Sequence, residues 1–224
     1  NNYAVGKRIP LYPVIGNHEV VVSEKLGGID ALIKAGSRYV LYEEFKNRLD
    51  TSYSSYLNDI FDRMKQKQSW YSFVKQIDGI ALQFIALNSS LPDDEEQFKW
   101  FLNELKRIDG PKVVVAHYPP YSIGYHGYAS SLHRESRESK FRNRYTKVFN
   151  DPKNNVALVI GGHDHNYQRT CQTDEGGGIR TPVYVVSGGG GADLTGGGDS
   201  DVSQILPEGF HCPGLVTAYH FVEV

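Results

Sequence analysis

Long apolar runs are missing from this 224-residue chain; the longest span about five residues, as in Val156–Ile160. A helix that crosses a bilayer needs about 18 or more, so no membrane span is expected. Charge of one sign is missing too: 24 Lys and Arg stand against 26 Asp and Glu, a formal net charge of -2. That balance gives no pull toward nucleic acid or an anionic membrane surface, and no nucleic-acid partner is expected. Cysteine is scarce, with Cys171 and Cys212 alone and no C-x-x-C spacing. Such a pair excludes a disulfide scaffold and a thiolate metal clip; one bridge and two free thiols both stay open. No basic-then-apolar leader opens the chain. A removed leader would leave the same opening, and an extracytoplasmic location is favoured over a cytoplasmic one. Internal repeats, heptads and clear linkers are absent, so residues 1–224 are expected to belong to one domain.

What is present is ordinary globular composition, 40% hydrophobic and 22% charged, enough for one sizeable core. The 15 Tyr, 10 Phe and 2 Trp suit broad loops packed over a sheet. Short segments rich in β-branched residues read as strands at Leu11–Ile15, Ile80–Leu87, Lys112–Ala116, Val156–Ile160, Val183–Val186 and Val216–Val222. Helical stripes lie between some of them. One joins Tyr53, Tyr56, Leu57, Ile60, Phe61 and Met64; another joins Phe98, Phe101, Leu102, Leu105 and Ile108. The latter has an acidic first turn and a basic last turn, and Asp109-Gly110 is expected to stop it. A more polar helix in "ESRESKFRNRYTKVFN" should end at Asn150-Asp151-Pro152. Strands alternating with helices predict an α/β fold with a partly mixed sheet.

Ligands in such sheets gather at the carboxyl ends of strands, and three of these segments end in a histidine. "LYPVI" runs into Gly16-Asn17-His18-Glu19, "KVVVA" into His117-Tyr118-Pro119-Pro120-Tyr121, and "VALVI" into Gly161-Gly162-His163-Asp164-His165. A single histidine after a strand is more often a hydrogen-bonded structural residue than a ligand. The coincidence of three such ends, two of them preceded by glycine, points to one shared site. Glycine lets a backbone turn sharply beside a bound ion or phosphate. Imidazole nitrogens with an amide oxygen from Asn17 make a mixed shell suited to zinc, iron, manganese, nickel or copper.

"GNHE", "VVVAHYPPYS" followed by His126-Gly127, and "GGHDHNYQR" followed by "YVVSGGGGA" stand in this order between Tyr12 and Ala192. Together they resemble the motifs of the calcineurin-like metallophosphoesterases, in the purple-acid-phosphatase-like branch. The resemblance implies a four-layer α-β-β-α sandwich and two divalent or trivalent ions, with iron, zinc or manganese favoured. By it, Asn17, His117 and His163 resemble ligands of the second ion, and His165 resembles a ligand of the first. His18 resembles the histidine that contacts phosphate and protonates the leaving group. The implied chemistry is hydrolysis of phosphate esters, most simply monoesters, by a metal-bound hydroxide. A phosphodiesterase or nucleotidase on the same site is the alternative, and a non-catalytic fragment or scaffold is a third reading.

The chain departs from the pattern in one respect. The family places carboxylate ligands in G-D motifs upstream of the "GNHE" segment, whereas the earliest aspartate here is Asp30. The expectation is therefore a C-terminal portion of a catalytic domain lacking its N-terminal strands. An upstream segment, on the same or another chain, would supply the carboxylates, and this chain alone would be a poor phosphatase. Weaker signals remain. His126 suits a substrate-side pocket rim or an exposed loop. Tyr118 and Tyr121 suit a pocket wall or plain packing, and Arg169 a structural ion pair or a phosphate-facing charge. Asp164, between the two histidines, is expected to point away from the ions and orient its turn. Gly188–Asp193 matches G-G-x-G-x-D once, but a calcium β-roll needs stacked copies, so a loop is expected there. No G-x-x-x-x-G-K-[ST] phosphate loop is present.

Overall fold

A computed structural model describes Tyr12, Val14, Gly16, Asn17 and residues 69–127, 135–197 and 206–223. The chain divides into two units, Asn1–Val14 with His18–Ser69, and Ile15–Asn17 with Trp70–Val224. Of the first, only Tyr12, Val14 and Ser69 are described; the sheet and the candidate site belong to the second. The strand expected at Leu11–Ile15 lies outside the described residues except for Tyr12 and Val14, and the Tyr53–Met64 stripe lies wholly outside them.

The fold is α/β, as the alternation of patterns predicts, and the described residues form one mixed sheet of eight strands. In chain order the elements are β1 (Tyr71–Ile77), β2 (Ile80–Leu87), α1 (Glu95–Glu104), β3 (Lys112–Ala116), α2 (Arg137–Phe149), β4 (Val156–Gly161), β5 (Tyr167–Thr173), β6 (Ile179–Ser187), β7 (Phe210–His211) and β8 (Leu215–Val216). Spatial order is β1-β2-β3-β4-β6-β5-β7, with β8 also on β5. The four central strands β2, β3, β4 and β6 are parallel. β1 pairs antiparallel to β2, and β5 antiparallel to β6. Parallel neighbours need crossover connections; α1 lies between β2 and β3, α2 between β3 and β4, and β4 reaches β6 by way of β5. The consequence for function is that β3 and β4 deliver their carboxyl ends side by side, with Val115 opposite Ile160.

Packing explains the helices. Phe141, Tyr145 and Phe149 recur every four residues along α2, so they share one face and are buried. They meet Phe101 of α1, whose ring lies 5.6 Å from that of Tyr145 and 5.7 Å from that of Phe149. Ile85, Leu87, Val114, Ala116 and Val159 of the sheet complete this cluster. α1 starts where the Asp94 carboxylate accepts the Gln97 N–H at 2.8 Å. Buried Gln97 then returns its side chain to the backbone of Asn88 and Leu91, anchoring the loop after β2.

Two expectations need correction, and two strands are absent from the sequence reading. α1 stops at Glu104, capped by Leu105, and does not run on to Asp109-Gly110. Carbonyls of Ile108 and Gly110 are turned to accept from the buried Lys112 Nζ, each at 2.9 Å, which continued helix would forbid. The strand expected at Val216–Val222 is only Leu215–Val216, because His220 bonds back to the Gly189 carbonyl instead of joining a ladder. β5 carries no apolar alternation: its inward residues Gln168 and Thr170 are polar and buried, and hydrogen bonds hold the Gln168 side chain. β1 is likewise unforeseen; its pairing face is made by aromatic stacking, Phe73 on Phe84 at 5.0 Å. Both cysteines are free thiols. Cys171 stands opposite His211 in the β5–β7 pairing, so Cys212, one residue on, projects to the other face.

Candidate metal centre

The parallel register places the His117 and His163 turns together at one edge of the sheet. The Gly162 N–H donates to the His117 carbonyl at 2.9 Å and ties the two strand ends. A Cβ at Gly161 would lie 2.6 Å from Pro119 Cα, so a side chain there would push the two turns apart. His163 itself adopts φ 64°, the left-handed region that residues with a side chain rarely occupy. Such backbone strain clusters at functional sites. Here the unusual turn aims the ring along the strand end toward His117.

Three side chains meet at that point. His117 Nε2 lies 2.6 Å from Asn17 Oδ1 and 3.2 Å from His163 Nδ1. One ring nitrogen faces both neighbours. A protonated His117 Nε2 can share its hydrogen between the Asn17 oxygen and the His163 lone pair; an unprotonated one leaves three electron-pair donors around one point, an arrangement that suits a cation. Donors about 2.1 Å from a shared ion lie roughly 3–3.4 Å apart. The His117–His163 separation fits that range, and the Asn17 contact is shorter, at hydrogen-bond length. The donor set therefore fits an ion of the zinc, iron or manganese kind. Among the described residues, no group of three or more His, Cys, Asp or Glu side chains comes together for a metal; the convergence is of two imidazoles with an amide.

The surroundings of His163 differ by side. Its Nε2 faces Glu138 Oε1 at 3.6 Å, across from the first turn of α2. The gap is too long for a direct hydrogen bond, but the carboxylate's charge favours the tautomer with its proton on Nε2, which leaves the Nδ1 lone pair facing His117. No sequence signal singles out Glu138, because acidic residues are favoured in any first helical turn. Glu138→Gln is expected to weaken cation affinity roughly 10-fold, the low end for such outer partners because the contact is long. Competition with a chromogenic chelator measures this, and unchanged affinity would show that the carboxylate does not orient the ring.

His126 and Tyr118 also pack on His163, with ring centroids at 4.3 and 4.7 Å. Tyr118 is buried against both imidazoles, and that burial, with Glu138 nearby, pushes its phenol above the usual value. His126 sits beside the exposed Tyr125 at the rim. His165 is held differently. Its Nδ1 lies 2.6 Å from the Asp193 carbonyl, and its N–H donates to Thr195 Oγ1 at 2.9 Å. A proton on Nδ1 for that carbonyl leaves the lone pair on Nε2. The single glycine-rich stretch is thus a loop that backs His165. His18 lies outside the described residues.

The fold and site define a class: α/β proteins that gather imidazole and amide donors at the carboxyl ends of adjacent parallel strands. The chain belongs to the calcineurin-like phosphoesterase (Metallophos) family, whose profile matches residues 1–167. It is similar in structure to the purple acid phosphatase PPD1 from yellow lupin (Lupinus luteus) seeds, at 20% identity and a TM-score of 0.49, covering 62% of this chain and 26% of that one. It is also similar to GAP50, the anchor in the inner membrane complex of Plasmodium, at 18% identity and a TM-score of 0.49, covering 68% of this chain and 45% of that one. The chain thus spans about a quarter of the lupin enzyme and under half of the Plasmodium protein. No curated protein matches it.

Proposed function

We propose that this chain takes part in metal-dependent hydrolysis of phosphate esters, most simply monoesters. In this reading Asn17, His117 and His163 hold one cation and His165 contributes to a second. The observation that carries it is the meeting of three donor atoms at 2.6 and 3.2 Å at the joined ends of β3 and β4. Membership of a phosphoesterase family supports the same chemistry. When bound, the ions would neutralise phosphoryl oxygens and lower the pKa of water.

The chain's own side chains do the rest. Asn17 offers an uncharged oxygen, and His117 Nε2 and His163 Nδ1 offer nitrogen lone pairs. All three are neutral donors, so anionic ligands beyond this set must balance the ion's charge. Glu138 keeps the His163 ring turned. His126, at the rim beside that ring, contacts the phosphoryl group, while buried Tyr118 closes the wall and keeps water out. His18 contacts phosphate and protonates the leaving oxygen, which needs a group able to change its charge near neutral pH. The test is titration with zinc, iron or manganese, combined with turnover of chromogenic phosphate monoesters and diesters. Stoichiometric cation binding with faster monoester turnover is expected. A protein that binds no cation and turns over neither ester would overturn the reading.

A further inference from the structure

We propose that Asp164 is a positioning residue: it locks the Ser122–Gly127 segment, which ends in the helical Tyr125–Gly127, to the His163–His165 turn and so sets the His126 ring against His163. The functional weight of this placement rests on the reading of His126 given above. Asp164 is fully buried. Its side chain is taken up by three donors from the other loop. Oδ1 accepts the His126 N–H at 2.9 Å, and Oδ2 accepts the Gly127 N–H at 3.1 Å and the Ser122 hydroxyl at 2.5 Å.

The direction of the serine bond follows from its other partners. Ser122 Oγ already accepts from the Gly124 N–H at 3.0 Å and from Gln168 Nε2 at 2.9 Å. A hydroxyl has two lone pairs and one proton, so its proton goes to Asp164. Gln168 closes the arrangement: its Oε1 accepts the Ile123 N–H at 2.8 Å and its Nε2 reaches Asn166 Oδ1 at 2.8 Å. The loop lies directly on the carboxyl group, since a Cβ at Gly124 would stand 2.6 Å from Asp164 Cγ. Buried donors that lose their acceptor are costly, so the loop has one stable seat. That seat puts the His126 ring 4.3 Å from the His163 ring. The polarity of β5 thereby gains an explanation: Gln168 serves the loop rather than the core.

The experiment uses the full chain carrying ¹³C-labelled histidine, with the His126 ring signal assigned through His126→Gln. Asp164→Ala is expected to move that signal toward the value of a freely exposed imidazole while stoichiometric zinc binding persists. For a chromogenic monoester, kcat/KM should fall by up to on the order of 10²-fold, the scale of a displacement of about 1 Å. That penalty should vanish in a His126→Ala background, because both changes remove the same placement. Ser122→Ala, which removes one donor, should give a smaller shift of the same sign and serves if Asp164→Ala fails to fold. An unmoved His126 signal, additive penalties, or loss of zinc in Asp164→Ala would each overturn the proposal. If the unmodified chain hydrolyses no ester, the proposed function falls, and the histidine signal still decides whether Asp164 sets the ring.

Discussion

His163→Ala is expected to lower cation affinity by more than about 100-fold, because changes to outer partners alone cost roughly 10–100-fold and this change removes a donor. The loss has three parts in the structure. The Nδ1 atom 3.2 Å from His117 disappears, the Glu138 carboxylate loses the ring it faces, and the His126 and Tyr118 rings lose their common neighbour. The fold itself should persist, since His163 stands on a turn and not in the cluster of Phe101, Phe141 and Tyr145. His163→Asn is the informative companion. Asparagine tolerates the left-handed φ of 64° better than most residues, so it separates loss of the donor from strain in the turn. Metal analysis after dialysis, with a circular-dichroism melt of each variant, reads both effects. Wild-type metal content in His163→Ala would remove this residue from the site.

His18→Ala is expected to act on the other quantity. Turnover of a monoester should fall on the order of 10²–10⁴-fold, the usual contribution of a positioned acid or base, while metal content stays near that of the unmodified chain. His18 follows Asn17 directly in the sequence, and the proposed function gives Asn17 to the ion and His18 to the ester. An imidazole can protonate a leaving oxygen near neutral pH, which asparagine and tyrosine cannot. An ester with a good leaving group needs little protonation, so the deficit should shrink for a nitrophenyl ester and grow for an alkyl ester. Loss of metal with an unchanged rate per bound ion would reverse the roles of His18 and its neighbours.

The amino-acid sequence determined the parts of this protein that follow from local pattern. Apolar runs bounded by polar turns marked β2, β3 and β4 nearly to the residue, since a strand buried on both faces must be apolar along its length. Histidine marked the ends of β3 and β4, in β4 after two glycines that allow a tight turn. Tertiary structure decided what no local pattern encodes. Parallel pairing of β3 with β4 brings His117 and His163 together from 46 positions apart. Glu138 reaches His163 only because α2 crosses back over the sheet, and its sequence neighbourhood looks like any acidic helix start. β5 escaped pattern reading because its buried residues are polar. Gln168 is satisfied by hydrogen bonds, and a buried polar group is stable only where its partners already stand. Those partners, Ser122 and Ile123, lie 46 and 45 positions from Gln168. Their arrival beside it depends on chain topology, which sets the distances that residue order alone leaves free.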